Sequence, residues 1–295
     1  MAFTLPENIA TRPIAVVGAG TLGRRIALML ATQGAEVRLV DPSADARAAG
    51  AAYVAEQLAR VLATLPAGKP GRVVAHADLA EGVADAWLVV ESVPERLDLK
   101  IDTFAQLDAL APADAILASN SSSYPTSQVI GKVARPERVL NTHYMMPPAA
   151  RAVELMSCGR TDERVIALLA DTLPHYGLTP YVVQRESVGF IYNRIWAAIK
   201  REALAVVAEG VATPEVVDAI YTQTNGGKSG PFRRMDAVGL DIVLSIEEHY
   251  AQVRPGLPEG PRDLLKRMIA EGRLGAKSGS GFYDDYAPRG EEAKS

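Results

Sequence analysis

The sequence of 295 residues contains one cysteine, Cys158, which excludes an intramolecular disulfide framework and a cysteine-rich zinc site. No apolar run reaches the ~18 residues that span a bilayer. Residues 1–11 have no basic stretch followed by an apolar one, so we expect no secretory signal. Aromatic residues make up only 6% of the chain, which favours helices packed on a sheet over an all-β sandwich.

The chain also lacks an excess of charge of either sign. It has 31 Lys and Arg against 35 Asp and Glu, a net charge of -4, which gives no indication of binding to nucleic acid or to a membrane surface. The hydrophobic fraction of 48% is that of a globular protein, and the length predicts about two domains. We expect a cytoplasmic protein with a small-molecule ligand and no metal, because one cysteine fits a reducing compartment.

Apolar runs and helical periods alternate along the first part of the chain. We predict strands at 14–17, 37–40, 87–90, 115–118, 139–144, 153–157 and 179–183, with helices at 44–65 and 97–110 between them. After residue 185 only helical patterns follow, at 188–210, 214–221, 240–253 and 261–271. The alternation predicts a parallel sheet covered on both faces. The expected architecture is an α/β Rossmann-type doubly wound domain, residues 1–185, followed by a smaller all-α domain, residues 186–295.

Three glycines lie between the first predicted strand and the first helix. Gly18, Gly20 and Gly23 have the spacing G-x-G-x-x-G, in which a tight turn, a close approach of a pyrophosphate and close helix packing each require glycine. Asp41 ends the second strand, where a carboxylate accepts hydrogen bonds from a ribose and repels a 2′-phosphate. The pattern predicts NAD rather than NADP. The alternative is a turn rich in glycine with Asp41 as a helix cap.

Polar residues follow two later strands. Serines and an asparagine fill positions 119–123, where ligands meet the carboxyl ends of parallel strands; the alternative is a loop with a helix cap. His143 ends one strand and Glu154 begins the next, so the pair can act as a general base with an orienting carboxylate. By spacing alone, a structural histidine explains the same pattern.

The motifs together resemble the L-3-hydroxyacyl-CoA dehydrogenase family, which includes 3-hydroxybutyryl-CoA dehydrogenases and the L-gulonate dehydrogenase or lambda-crystallin branch. The resemblance extends from Pro13 to about Tyr283. It is carried by separated motifs in one order: VVGAGTLG at 16–23, ESVPERLDLK at 91–100, SNSSS at 119–123, HY at 143–144, VE at 153–154, GFIYNR at 189–194, GPF at 230–232 with 236–241, and KSGSGFY at 277–283.

The resemblance implies a role for each matching residue. It implies that His143 takes the hydroxyl proton while hydride passes to the nicotinamide, that Glu154 orients His143, and that Ser122 and Asn193 hold the reacting oxygen. It implies NAD contacts at Gly18, Gly20, Thr21, Leu22, Gly23, Asp41, Glu95, Lys100, Ser122 and Lys277. It further implies that the helical domain closes the substrate cleft and pairs in a homodimer. Asn193 as an exposed helix residue and Lys277 as a surface lysine remain alternatives.

Two departures from the family pattern bear on the substrate. Met146 stands where the family run after the histidine has asparagine, which removes an amide from the pocket. Between Asp41 and Glu91 the cations are few, namely Arg47, Arg60, Lys69 and Arg72. Because phosphate recognition normally uses arginine or lysine, this scarcity puts a CoA substrate in doubt.

Three functions therefore stay open from the sequence. The first is NAD-dependent oxidation of an L-3-hydroxyacyl thioester, or its reverse. The second is the same chemistry on a small hydroxy acid or alcohol without CoA. The third is a structural or sensing protein that binds NAD with little turnover. We interpret Arg24 and Arg25, which follow the glycine turn, as solvated surface charges, with contact of one of them to a phosphate as the alternative.

Overall fold

The structure is a computed structural model that describes residues 3–286, and its chain separates into two compact units, Met1–Ile191 and Tyr192–Ser295. Residues 287–295 of the expected helical domain lie outside the described residues. Within the described part, no helix combines the length and the apolar character needed to cross a membrane. The first unit is an α/β fold and the second is helical, as the sequence predicts.

The first unit is built on one eight-stranded sheet with helices between its strands. Its strands are β1 (Ile14–Val17), β2 (Glu36–Val40), β3 (Arg72–His76), β4 (Leu88–Glu91), β5 (Ile116–Ser119), β6 (Val139–Met146), β7 (Ala150–Ser157) and β8 (Thr179–Val183). Its helices are α1 (Thr21–Leu30), α2 (Ala44–Leu62), α3 (Leu79–Val83), α4 (Leu97–Leu110) and α5 (Glu163–Thr172), and short 3-10 turns lie at 126–138 and 173–176.

The strand order is β3-β2-β1-β4-β5-β6-β7-β8, which confirms the doubly wound Rossmann-type sheet. The prediction of an entirely parallel sheet is wrong at one place, because β6 and β7 pair antiparallel. Only the short turn at 147–149 joins these two strands, whereas a parallel connection needs a crossover of about a dozen residues. The turn therefore places the two strands side by side in opposite directions.

Both faces of the sheet are covered, as expected for a parallel sheet. Successive residues of β1 point to opposite sides: Ile14 and Val16 pack into one apolar cluster, and Ala15 and Val17 into the other. The first cluster includes the apolar side of α1, and the second includes Phe104 of α4. Burial on both faces explains why the central strands read as continuous apolar runs rather than as alternating patterns.

Three elements of this unit were not predicted from the sequence. Strand β3 lies at the edge of the sheet, and its residues are exposed or half-buried, so it carries no continuous apolar run. Helix α3 spans only Leu79–Val83, too short to show a helical period. Helix α5 was overlooked, although Asp162 precedes it and accepts a hydrogen bond from the Arg164 N–H at 2.9 Å, a typical N-cap.

The second unit consists of helices around its own apolar core. These are α6 (Tyr192–Ala208), α7 (Pro214–Asn225), α8 (Pro231–Val238), α9 (Leu240–Val253) and α10 (Gly260–Ala270), with a 3-10 turn at Ala276–Ser278. The core gathers Leu204, Phe232, Leu240 and Leu265. Helix α8 was not predicted. The helix expected from residue 188 begins at Tyr192 instead, because Gly189 and Phe190 adopt φ values of 78° and 54°, outside the helical region.

Candidate functional site

The glycine turn between β1 and α1 has the geometry of a dinucleotide cradle. Gly18 has φ 105°, and a Cβ there would lie 2.4 Å from the Ser92 carbonyl oxygen. A Cβ on Gly23 would lie 1.8 Å from the Gly18 oxygen, so the helix can pack this closely only without a side chain. Gly20 is exposed, and a Cβ there would meet nothing within 4 Å, which leaves its outer side open to a ligand.

Helix α1 presents free donors at the same turn. No side chain caps its N-terminus, and its first turn has no acidic residue. The Arg24 N–H donates to the Gly20 oxygen at 3.1 Å, so the N–H groups of Thr21, Leu22 and Gly23 precede the helical ladder. A pyrophosphate fits these donors and the partial positive charge of the helix end.

Asp41 follows β2 and is tied to the glycine turn. Its Oδ2 accepts a hydrogen bond from the Ala19 N–H at 2.8 Å, and its Oδ1 accepts one from the Ser43 N–H at 2.9 Å. Each carboxylate oxygen can accept a further hydrogen bond, such as one from a ribose hydroxyl. Asp41 is half-buried and capped by backbone donors, so its position relative to the turn is fixed.

A buried carboxylate that the sequence analysis left without a role lies at the end of β4. Glu91 is fully buried; its Oε1 accepts from the Lys100 Nζ and the Val93 N–H, both at 2.8 Å, and its Oε2 accepts from the Ser119 Oγ at 2.6 Å. The sequence contains a signal for this role, because Glu91 ends an apolar strand, and a buried acidic residue at such a position needs polar partners. Glu91 therefore joins the ends of β4, β5 and α4.

The serine loop is organised by Glu95. Its Oε1 accepts from the Ser121 Oγ at 2.7 Å and from the N–H groups of Ser122 at 3.0 Å and Ser123 at 2.9 Å. Its Oε2 lies 3.1 Å from the Lys100 Nζ. Burial by itself raises the pKa of Glu95. The Lys100 charge and the hydrogen bonds together lower the pKa by more than burial raises it, so the net shift is downward. Glu95 thus stays ionised and holds the loop.

This geometry places three of the predicted residues, Ser122, Glu95 and Lys100. Ser122 is exposed beside Glu95, where a ligand can reach its hydroxyl. Lys100 is only 1% exposed, and its ammonium is shared by Glu91 and Glu95, so it supports the loop from below. Direct contacts of Ser122, Glu95 and Lys100 with NAD stay predictions.

His143 and Glu154 lie directly opposite each other on β6 and β7. The His143 Nδ1 is 2.7 Å from the Glu154 Oε2, and both residues are buried, at 6% and 3% exposure. Because an ionised carboxylate only accepts, it fixes the proton of the neutral ring on Nδ1 and leaves Nε2 with its lone pair. Within residues 3–191, the His143 Nε2 makes no hydrogen bond, so it is available to a reacting group.

Phe190 completes the surroundings of the imidazole and was not foreseen as a site residue. Its ring stacks on His143 with centroids 4.8 Å apart and an interplanar angle of 20°. The next residue, Ile191, donates its N–H to the Glu154 Oε1 at 2.9 Å. The left-handed φ of 54° at Phe190 is uncommon for an aromatic residue and turns its ring towards the histidine. Both oxygens of the Glu154 carboxylate and one face of the His143 ring therefore have defined contacts.

The other two predicted residues belong to the helical unit. Asn193 is the second residue of α6 and is half-buried. The Lys277 Nζ pairs with both carboxylate oxygens of Asp241 on α9, at 2.5 and 2.6 Å. Lys277 therefore has a partner within its own unit. Its contact with NAD and the role of Asn193 stay predictions.

The described residues contain no group of three or more His, Cys, Asp or Glu side chains that could hold a metal ion.

Asn120 is a further positioning residue. Its Oδ1 accepts a hydrogen bond at 3.0 Å from the N–H of Tyr144, the residue that follows His143. The first unit thus offers a cofactor cradle, a polar loop and an oriented imidazole along one sheet. This set of groups can bind a dinucleotide and remove a proton from an alcohol.

Comparisons with known proteins agree with this chemistry. Models of the 3-hydroxyacyl-CoA dehydrogenase NAD-binding domain and C-terminal domain match residues 13–187 and 189–285. The probable 3-hydroxybutyryl-CoA dehydrogenase of Bacillus subtilis is 33% identical over 285 residues, covering 92% of this chain and 97% of that protein. The solved (S)-3-hydroxybutyryl-CoA dehydrogenase of Ralstonia eutropha has a TM-score of 0.82 at 30% identity, covering 94% of this chain and 99% of that one.

A relative with a different substrate matches equally well. The 5-formyl-3-hydroxy-2-methylpyridine 4-carboxylate 5-dehydrogenase of Mesorhizobium japonicum is 32% identical over 279 residues, which cover 92% of this chain and 90% of that protein. Similarity of this extent fixes the cofactor and the reaction type but leaves the substrate open. The chain belongs to the 3-hydroxyacyl-CoA dehydrogenase family, NAD-dependent oxidoreductases that act on CH–OH groups.

Proposed function

We propose that this protein oxidises the 3-hydroxyl group of an L-3-hydroxyacyl thioester to the 3-oxo compound, or catalyses the reverse, with His143 as the general base. The observation that carries the proposal is the 2.7 Å hydrogen bond between the His143 Nδ1 and Glu154 on directly opposed strand positions. A base is required because the alcohol loses its proton as hydride leaves.

Bound NAD supplies the hydride acceptor, and the chain supplies binding, orientation and proton transfer. The His143 Nε2 takes the hydroxyl proton, and Glu154 stabilises the imidazolium that forms and keeps the ring in place. The Ile191 N–H fixes the other oxygen of Glu154, and Phe190 restrains the ring from one face. Ser122 and Asn193 are proposed to hold the reacting oxygen.

A second candidate is the same reaction on a small hydroxy acid without CoA. Two of the few cations between Asp41 and Glu91 are occupied within the protein. Arg47 donates to the Asp41 and Pro42 carbonyl oxygens at 2.6 and 3.1 Å, and Arg72 pairs with Glu36. Few free cations remain on this segment to bind the phosphates of CoA. The relative from Mesorhizobium japonicum is named for a pyridine carboxylate, which carries no CoA.

The test compares acetoacetyl-CoA with free acetoacetate as substrates for NADH oxidation, followed at 340 nm. The variant His143→Ala is expected to lower turnover by ~10²–10⁴-fold. Its affinity for NADH, measured by fluorescence titration, should stay within a factor of two to three, because His143 lies on β6, three strands from the β1 strand that leads into the glycine turn. Undiminished turnover in His143→Ala would remove His143 from its role, and inactivity of the wild type on every 3-oxo compound would favour a non-catalytic NAD-binding protein.

Two further expectations concern the cofactor preference and the assembly. Asp41→Ala should raise turnover with NADP relative to NAD, and an unchanged preference would contradict the ribose contact.

The helical unit exposes large apolar side chains on α7 and α9. Val216 and Ile220 lie on one side of α7 and are 47% and 62% exposed, and Ile242 on α9 is 47% exposed. We propose that two copies pair through such apolar positions in the cytoplasm, and light scattering after gel filtration measures the mass directly.

A further inference from the structure

Arg24 and Arg25 form a cationic cluster with Tyr53, so their interpretation as solvated surface charges is wrong. Both arginines are half-buried on the first turn of α1. Their guanidinium carbons lie 4.9 and 5.5 Å from the centroid of the Tyr53 ring on α2. Cation–π attraction at such distances holds the two like charges close together on one aromatic platform. We call these three residues the arginine cluster.

The arginine cluster contacts the chain segment that follows β6, the strand that carries His143. The Arg25 Nη1 donates to the Pro147 carbonyl oxygen at 3.1 Å. Pro147 comes directly after β6, four residues beyond His143. At ~3.3 Å per residue of strand, the Pro147 backbone lies at most roughly 13 Å from the His143 backbone, and the register shift between Tyr144 and Met146 shortens this span. A substrate with its second charged end several bonds from the reacting hydroxyl matches a span of this size.

The positive charge of the cluster is not neutralised by the protein. Across residues 3–286, neither Arg24 nor Arg25 has a carboxylate within 4.0 Å, whereas the half-buried Arg12 pairs with Asp114 and the half-buried Arg38 pairs with Glu36. The Nε atoms of both arginines are buried and have no hydrogen-bond partner. Buried donors without partners cost free energy, and an anion that accepts from them would offset this cost.

We propose that the arginine cluster binds a carboxylate that the substrate carries several bonds away from the reacting hydroxyl. This inference rests on the proposed function, because it assigns the far end of the molecule that His143 deprotonates. A guanidinium fork matches a carboxylate with two parallel hydrogen bonds, and a fixed aromatic platform reduces the freedom lost on binding. The cluster selects acidic substrates over neutral ones of the same length.

The experiment compares 3-oxoadipyl-CoA with its 6-methyl ester as substrates for NADH oxidation, so that the two thioesters differ only in the carboxylate at carbon 6. Wild type should prefer the acid, and Arg25→Gln and the double variant Arg24→Gln/Arg25→Gln should raise the KM for the acid about 10- to 100-fold, the usual effect of losing charge-assisted hydrogen bonds. The KM for the ester and the Kd for NADH should change by less than about threefold, since those ligands lack the recognised charge.

Matched variants separate the cluster from general charge and folding effects. Arg60→Gln removes an exposed charge from the last turn of α2 and should leave the acid preference intact. Tyr53→Phe keeps the aromatic platform and should preserve the preference, whereas Tyr53→Leu should weaken it. Melting temperatures within a few degrees of the wild type show that each variant folds.

Each remaining outcome has a definite meaning. Weaker NADH binding together with equal changes for acid and ester would assign the cluster to the cofactor phosphates and overturn the inference. Wild-type protein that neither binds nor prefers the acid, judged by calorimetric titration of the NADH complex, would overturn it as well. The proposed function fails separately, through absent turnover of every 3-oxo compound or full activity of His143→Ala.

Discussion

Two buried carboxylates of the first unit, Glu91 on β4 and Glu154 on β7, differ in the partners that neutralise them. Glu91 pairs with the ammonium of Lys100 at 2.8 Å and with Ser119. Glu154 pairs with the imidazole of His143 at 2.7 Å and with a backbone N–H. A fixed ion pair stabilises loops, whereas a titratable partner can exchange a proton with a substrate. We therefore propose that the same residue type serves structure at Glu91 and proton transfer at Glu154.

The largest effect is expected from Glu154→Gln. The amide keeps the shape of the side chain but can no longer stabilise an imidazolium, so turnover should fall by at least about tenfold and up to ~10⁴-fold, as for other orienting carboxylates. The measurement is kcat by NADH absorbance, with NADH binding as a control. If Glu154→Gln unfolds at lower urea concentrations while its kcat stays at the wild-type value, the role of Glu154 is structural, and the proposed difference from Glu91 is contradicted.

Glu91→Gln should act on stability rather than on turnover of the folded enzyme. It leaves the Lys100 ammonium buried without a full counter-charge, and breaking a buried pair in this way costs about 3–5 kcal/mol. The free energy of unfolding from urea titration measures the loss, with Glu154→Gln as the matched carboxylate-to-amide control. Equal stabilities of the two variants would contradict a structural role confined to Glu91.

Ser119→Ala removes one hydrogen bond to Glu91 and should lower the free energy of unfolding by about 2 kcal/mol, since the acceptor is charged and buried. The matched control is Ser122→Ala, because Ser122 is exposed in the same loop and should affect turnover more than unfolding. Urea titration and kcat on both variants give the result. A larger stability loss in Ser122→Ala would reverse the assignment of the two serines.

The smallest effect concerns the dependence of stability on pH. The pKa of Glu95 lies below its ordinary value of 4.5 in the folded state, so its ionised form stabilises the fold above pH 4.5. That contribution is lost as the pH falls below 4.5 through the folded-state pKa. The variant Glu95→Gln should therefore lose less stability than the wild type between pH 5 and about pH 3, measured by thermal unfolding. Parallel curves for the two proteins would show that Glu95 does not contribute.

The sequence predicts the fold well where a local pattern has a single physical meaning. Helices 97–110 and 240–253 and the strands at 14–17 and 179–183 have the bounds that their periods indicate. Edge strand β3 escaped prediction because half-exposed residues carry no apolar run, and α8 because its eight residues give little more than two turns of helical period. Antiparallel β6 and β7 were not foreseen, since strand direction depends on the length of the turn between them.

In the candidate site too, the sequence predicts some residues and only the structure reveals the roles of others. His143 and Glu154 are recognisable as polar residues at strand ends, but their direct opposition depends on the register of β6 against β7. Phe190 reads as an ordinary apolar residue, and only its left-handed φ and its stacking on His143 give it a role. Lys100 reads as a cofactor contact, whereas the structure buries its ammonium between two carboxylates.

By itself, the sequence determined the glycine turn, the α/β order and the residue types that the reaction needs. These features follow from backbone sterics and side-chain periodicity, which act over a few neighbouring residues. The tertiary structure decided which carboxylate meets a lysine and which meets a histidine. It also decided that the guanidinium groups of Arg24 and Arg25 lie over the Tyr53 ring. Such pairs join residues far apart in the chain, and only strand register and helix packing bring them within hydrogen-bond distance.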